Sequence, residues 1–345
     1  MSTQPQQPPT KKIKLTKKIK IFSSDILVNE IPYEVWRDVI CPTLGYSDRL
    51  NLNATCNEFN DTFGDYKQKF LGLGPRLRQK KHAIHVPQDV RTIEKAMELV
   101  RKLQMVPTEK NPLKIVLDKG VHEIVGYEDM YEEYHQWLYV HHNHITFVGK
   151  GKDHTTIHGG FFVGSRYRSK QNVKFEEMTI TNYYGKGLHL EGSETTVAVL
   201  KCAVKDCAGD GMMVRGGATV TATQCEFMEN INGVYGHEEN TKVILNDCTM
   251  HHNLCAGLQA YDHAVVDLHG TKTDIHSNSR GILADGAMVL GAKVNIHLPS
   301  QHNTSHGNVK GDRVQWDWGS IANINDDGTF THPEEDDFAD WLLNE

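Results

Sequence analysis

Between about residues 172 and 289 the chain repeats itself every 23 residues or so, and a fixed period of this length restricts it to a stacked array. Val197, Val220, Val243 and Val266 recur at the same interval as Cys202, Cys225 and Cys248. Asn182, Asp206, Asn230, Asn253 and Asn278 recur every 23 to 25 residues, and Gly187, Gly211, Gly233, Gly257 and Gly281 every 22 to 24. Within each unit the apolar residues alternate, as in Val220-x-Ala222, Cys225-x-Phe227 and Val234-x-Gly236. Alternation of this kind marks short strands with one buried face. Three such strands per unit leave no length for a crossover helix. The pattern therefore predicts a parallel β-helix, one coil per repeat, with coils about 4.8 Å apart. Gly and Asn, which tolerate φ > 0, are expected at its corners.

This register predicts two inward columns. One runs Met178, Cys202, Cys225, Cys248 and then Thr271 or Thr273; the other runs Ile180, Val204, Phe227, Met250 and Ile275. The thiols are expected to pack as small hydrophobes rather than to bridge.

Upstream, HVPQDVRTIEKAMELVRKL places Ile93, Ala96, Met97, Val100 and Leu103 on one helical stripe, suited to capping the open end of a stack. With the following KIVLDKGVHEI and ITFVGKGKDHTTI segments, this run resembles the start of pectin-lyase-like β-helices. The resemblance covers roughly residues 83–300 and implies a mainly β chain built as a right-handed parallel β-helix with an N-terminal capping helix. Downstream, GSIANINDDGTFTH reads as a hairpin around Asp327-Gly328. The acidic tail carrying Phe338, Trp341, Leu342 and Leu343 reads as a terminal cap in preference to a partner-binding helix, so residues 301–345 form a C-terminal hairpin and tail.

Parity also predicts two outward columns beside the second strand of each coil: His189, Met213, Tyr235, Gln259 and Leu283, then Glu191, Arg215, His237, Tyr261 and Asp285. Arg215, Tyr235, His237, Gln259, Tyr261 and Asp285 are the candidate substrate-binding residues. No catalytic residue is expected. Glu191 and Asp285 are four coils apart, about 19 Å at one strand spacing per coil, too far for an acid–base carboxylate pair. The paired aspartates of pectinesterases have no match. Of the 20 His, His141, His142 and His144 cluster, as do His251 and His252. Adjacent strand residues point to opposite faces, so His251 and His252 are not expected to share an ion. Neither a metal nor a cofactor is expected.

Residues 26–62 lack the repeat. Ile31-Pro32-x-Glu34, Val35-Trp36, Val39-Ile40, Leu44, Asp48 and Thr55-Cys56-x-x-Phe59 resemble the F-box pattern, with Ile in place of its first Leu and Arg49 at another Leu. The order of an F-box and then β-helix repeats is similar to the F-box only proteins with carbohydrate-binding and sugar-hydrolase type repeats. This resemblance implies a small α-helical F-box whose Ile31, Pro32, Val35, Trp36, Leu44, Leu50, Leu52 and Phe59 dock on a Skp-type adaptor of a cullin ubiquitin ligase. The β-helix would then present a protein substrate, with no chemistry of its own. The alternative is a polysaccharide-acting or carbohydrate-binding β-helix carrying an unrelated helical cap.

A formal net charge of −7 argues against a general nucleic-acid binder, and no run of 18 apolar residues suggests a membrane span. No signal-peptide core precedes the repeats, so an intracellular chain, nuclear or cytoplasmic, with reduced cysteines is expected. Residues 1–25 read as a disordered basic arm whose two KKIK clusters fit an import signal, and residues 63–82 as a linker.

Overall fold

The structure is a computed structural model that describes residues 83–102, 107–128, 134–164, 170–286, 291–297, 305–324 and 329–331. The predicted basic arm, F-box-like segment, linker, Leu103 and acidic tail lie outside the described residues. Three parallel sheets wrap one core, each regular coil giving one strand to each sheet. Among the described residues the first sheet has eleven strands, from Ala83–Val86 to Phe330–Thr331, and the second and third have eight each. In one coil the strands are Thr219–Thr223, Glu226–Met228 and Asn232–His237. They pair in parallel with their counterparts in the next, Val220 opposite Val243, Phe227 opposite Met250 and Val234 opposite Leu258. Parallel ladders continue to Ser320–Ile324, so the stack runs past the expected limit at residue 300. Phe330–Thr331 then folds back antiparallel on Ile324, closing the anticipated hairpin.

Both inward columns form as expected. Ile180, Val204, Phe227, Met250 and Ile275 follow one another across the second sheet, fully buried. Cys202, Cys225 and Cys248 are buried free thiols, and Thr273, rather than Thr271, continues their column. Burial pushes the Cys202 and Cys207 thiols up, Cys207 to about 12. Each ladder thiol faces carbonyl oxygens, Cys225 Sγ lying 3.3 Å from Thr223 O and 3.4 Å from Val199 O. Thr273 Oγ1 donates to the His269 carbonyl in the same way, so a hydroxyl in this column finds a partner. Phe147, Phe161 and Phe175 lie fully buried in the core of the early coils, Phe147 stacked on Phe175 at 5.3 Å. Each fully buried Phe contributes about 1.5–3 kcal/mol. One end of the stack is covered by helix α1 (Ile93–Lys102), which buries Ile93, Ala96, Met97, Leu99 and Val100.

The corner after the third sheet uses left-handed Gly192, Gly216, Gly217 and Asn240 as expected, but the other two corners differ. None of Gly187, Gly211, Gly233, Gly257 and Gly281 has positive φ. There the left-handed positions fall mainly on polar residues: Glu177, Lys201, Gln224 and Asp247 before the thiol column, where Gly270 takes the last such place, and Asp206, Glu229, His252 and Ser277 at the next corner. The glycines are required by close approach. A Cβ on Gly211 would lie 2.7 Å from both the Gly233 carbonyl oxygen and Asn230 Nδ2. The asparagines form a buried ladder: the Asn253 side chain accepts from Asn230 N at 3.1 Å and donates to the Phe227 carbonyl at 3.1 Å, and Asn278 repeats both bonds one coil on. In the coil before Asn230, the ladder position belongs to Cys207, whose N–H donates to Asn230 Oδ1, and not to Asp206. The left-handed corner also corrects the histidine geometry. With His252 at φ 56°, its Nδ1 lies 2.7 Å from His251 Nδ1, so the two rings converge.

The asparagine ladder should dominate coil-to-coil stability. Asn253→Ala strips the Asn230 N–H and the Phe227 carbonyl of a buried partner, and unsatisfied groups of this kind cost about 1–3 kcal/mol each. Urea unfolding should show a loss of about 2–4 kcal/mol for Asn253→Ala; a loss near zero would show that the ladder adds nothing.

Candidate functional site

Strands of the third sheet alternate, so every second side chain turns away from the core and parallel register aligns these into columns, although Met213 and Leu283 in those columns are themselves covered. His189 stands beside Met213, Met213 beside Tyr235, Tyr235 beside Gln259 and Gln259 beside Leu283. In the neighbouring column Glu191 stands beside Arg215 and His237 beside Tyr261. Asp285 follows this strand edge and caps its own turn, accepting from Gly286 N at 2.8 Å. Arg215, Tyr235, His237, Gln259, Tyr261 and Asp285 are all partly exposed. The fold thus gathers all six predicted binding residues on one face.

Their chemistry is uneven. Arg215 Nε and Nη2 both donate to Glu191 Oε2, at 3.0 and 2.8 Å, and Glu191 is only 3% exposed. Much of the guanidinium is therefore engaged within the protein. Tyr235 stacks on His237 at 5.8 Å, and His237 tilts against Tyr261 at 5.3 Å. His237 also lies 3.7 Å from Asp262. Burial, followed by the charges of Asp210 and of its neighbours, pushes the Tyr235 phenol up to about 12, so it acts as a neutral hydroxyl. Burial, and next the charge of Asp317, raises Asp285 above the usual carboxylate range. Glu191 and Asp285 remain four coils apart.

The face extends beyond the predicted residues. Tyr139 pairs with Phe162 and Phe162 with His189, continuing the first column two coils upstream. Trp137 packs edge-on against His189 at 5.9 Å, Phe162 lies 4.5 Å from His189, and the Tyr139 and Tyr127 hydroxyls are 2.7 Å apart. At the other end Arg280 sits 4.7 Å over the Trp316 ring. The alternation Trp137-x-Tyr139-x-His141 was the available signal, but it precedes the regular repeat. His189 is the most perturbed group of the face. Desolvation, then the charges of Arg215 and Lys186, lowers it to about 4, while its Nε2 is sheltered 3.4 Å from Glu191 without a hydrogen bond.

A histidine held neutral when folded and free to protonate when unfolded costs stability in acid. The contribution is intact above the unfolded value near 6.5 and is lost as pH falls towards about 4. The loss amounts to about 3 kcal/mol at 1.36 kcal/mol per pH unit. Urea midpoints should fall across that window, and His189→Gln should flatten this part of the profile; an unchanged slope in the variant would place the acid sensitivity elsewhere.

Comparison with known proteins fits this architecture. No curated protein matches the sequence significantly. Three solved structures are similar to the chain. ORF18 of Geobacillus virus E2 is 12% identical with a TM-score of 0.45, covering 78% of this chain, which spans 64% of that chain's length. Pectin methylesterase PemA from Erwinia chrysanthemi is 11% identical with a TM-score of 0.37, covering 73% of this chain and 85% of its own. The A-module of mannuronan C-5 epimerase AlgE4 from Azotobacter vinelandii is 11% identical with a TM-score of 0.27, covering 65% of this chain and 90% of its own. The model of the right handed beta helix region matches residues 137–319, more than half of the chain. The chain therefore belongs to the right-handed β-helix family.

Proposed function

We propose that this chain is the substrate-recruiting subunit of a Skp/cullin/F-box ubiquitin ligase. Residues 26–62 dock the adaptor and the outer face of the third sheet captures a protein substrate. The observation that carries the β-helix part is the row of partly exposed rings at Tyr235, His237 and Tyr261, beside a buried carboxylate already neutralised by Arg215. Aromatic side chains present large, stiff contact area and dominate protein-binding hot spots. Carbohydrate cleavage instead needs a positioned pair of free acids; Glu191 is engaged by Arg215, and Asp285, close enough to Asp317 to feel its charge, accepts from Gly286 N at its own turn. The reading therefore assigns binding rather than catalysis to this face, and needs no cofactor. The F-box pattern at residues 31–59 supports the ligase half. A second reading, carbohydrate binding, draws on the same rings, since sugars pack their C–H faces on exposed aromatics.

Co-purification separates the two. The full-length chain should retain a Skp-type adaptor and a cullin, and Pro32→Ala with Trp36→Ala should abolish both. Replacing Tyr235, His237 and Tyr261 together by Ala should spare adaptor binding and Tm while removing the recruited protein. A chain that ignores the adaptor, but binds a glycan through these rings, would establish the carbohydrate reading instead.

A further inference from the structure

The first sheet carries a second cluster on its outer surface. Leu268 and Ile296 point into the core, fully or almost fully buried, so Asp267, His269 and His297 on either side of them point outward from adjacent coils. One ligand atom from each of the three lies within 4.8 Å of the other two. His269 and His297 stack with ring centroids 4.3 Å apart and planes 10° apart. His297 Nε2 lies 3.3 Å from Asp267 Oδ1, to which Asn295 Nδ2 also donates at 2.9 Å. Asp267 Oδ2 faces Lys242 Nζ at 3.2 Å, which leaves Oδ1 towards the histidines.

We propose that Asp267, His269 and His297 bind a divalent transition-metal ion of the zinc class on the outer face of the first sheet. Two imidazoles and one carboxylate suit that ion, which binds such ligands at about 2.0–2.2 Å. Two ligand atoms at those lengths on a tetrahedral centre are about 3.3 Å apart, the separation already held between His297 Nε2 and Asp267 Oδ1. As a hydrogen bond the same contact is long. The two stacked rings lie in nearly parallel planes, so His269 must turn out of the stack for its nitrogen to point at the ion and close the third position. Asn295 supplies an amide oxygen, once its side chain is turned over, or leaves the fourth position to water. Lys242 is about half exposed, so its ion pair with Asp267 is a weak competitor.

His276 stacks on His251 at 5.2 Å beside His252 on the second sheet, and this second histidine cluster makes a control necessary. Full-length protein freed of metal by a chelator is titrated with Zn²⁺ by calorimetry and with Co²⁺ by visible absorption, at neutral pH. One equivalent should bind, with a Co²⁺ spectrum of tetrahedral type. His269→Gln and His297→Gln should each weaken binding by about tenfold or more, whereas His251→Gln with His276→Gln should leave this site unchanged. Lys242→Met should tighten binding, a gain that a damaged fold would not produce. The proposal is overturned if no Zn²⁺ binds, if the His269 and His297 variants bind like the parent, or if the His251 and His276 pair alone abolishes binding. In each case the cluster is a hydrogen-bonded surface ladder.

Discussion

Everything in this molecule depends on the in-register parallel stacking of coils, and that stacking depends on closing each coil in the same way. Closure needs sharp corners at fixed places. Each regular coil supplies them with left-handed residues such as Gln224 and Glu229, and most secure the second corner with a buried asparagine whose amide joins its coil to the one before, Cys207 taking that place in one coil. An open amide group at such a corner would be costly. The asparagine ladder satisfies it while forcing the coils to the same spacing, and the glycine column lets neighbouring backbones approach that closely.

Once the coils are in register, chemistry on the outside is decided by vertical neighbours. Residues one coil apart are far apart in sequence yet separated by only one strand spacing, so a charge on one coil meets whatever stands above or below it. Glu191 finds Arg215, and Asp267 finds Lys242 and His297. The third sheet thereby becomes a surface of rings with its buried Glu191 neutralised, and the first sheet acquires a group of nitrogen and oxygen donors. The same rule makes the solenoid adaptable: one outward substitution changes a column without disturbing the core.

The inward columns were legible because period-two alternation and a constant repeat length fix both face and register. Cys225 between Cys202 and Cys248 follows from these alone. Left-handed Gly192, Gly216, Gly217 and Asn240 were foreseeable at the corner after the third sheet, but the roles of the repeating glycine and asparagine columns were not legible. Composition suggests left-handed φ for both, yet the structure uses Gly211 for close contact and Asn253 as a hydrogen-bond bridge, with the strain placed on polar neighbours such as His252. That exchange is why His251 and His252 converge where strict alternation separates them. Trp137, Tyr139 and Phe162 were missed as parts of the outward face because their coils precede the regular repeat and give no period to align.

The sequence by itself determined the solenoid, the coil length, the identity of the buried ladders and the six outward residues that share the third sheet. It could do so because backbone alternation and repeat spacing are local properties. Only the tertiary structure decided which outward groups neutralise one another, which histidine is driven to about 4, and which His and Asp converge across a gap of 28 residues between His269 and His297. Those outcomes rest on side-chain direction and burial, which stacking fixes only after the coils have met.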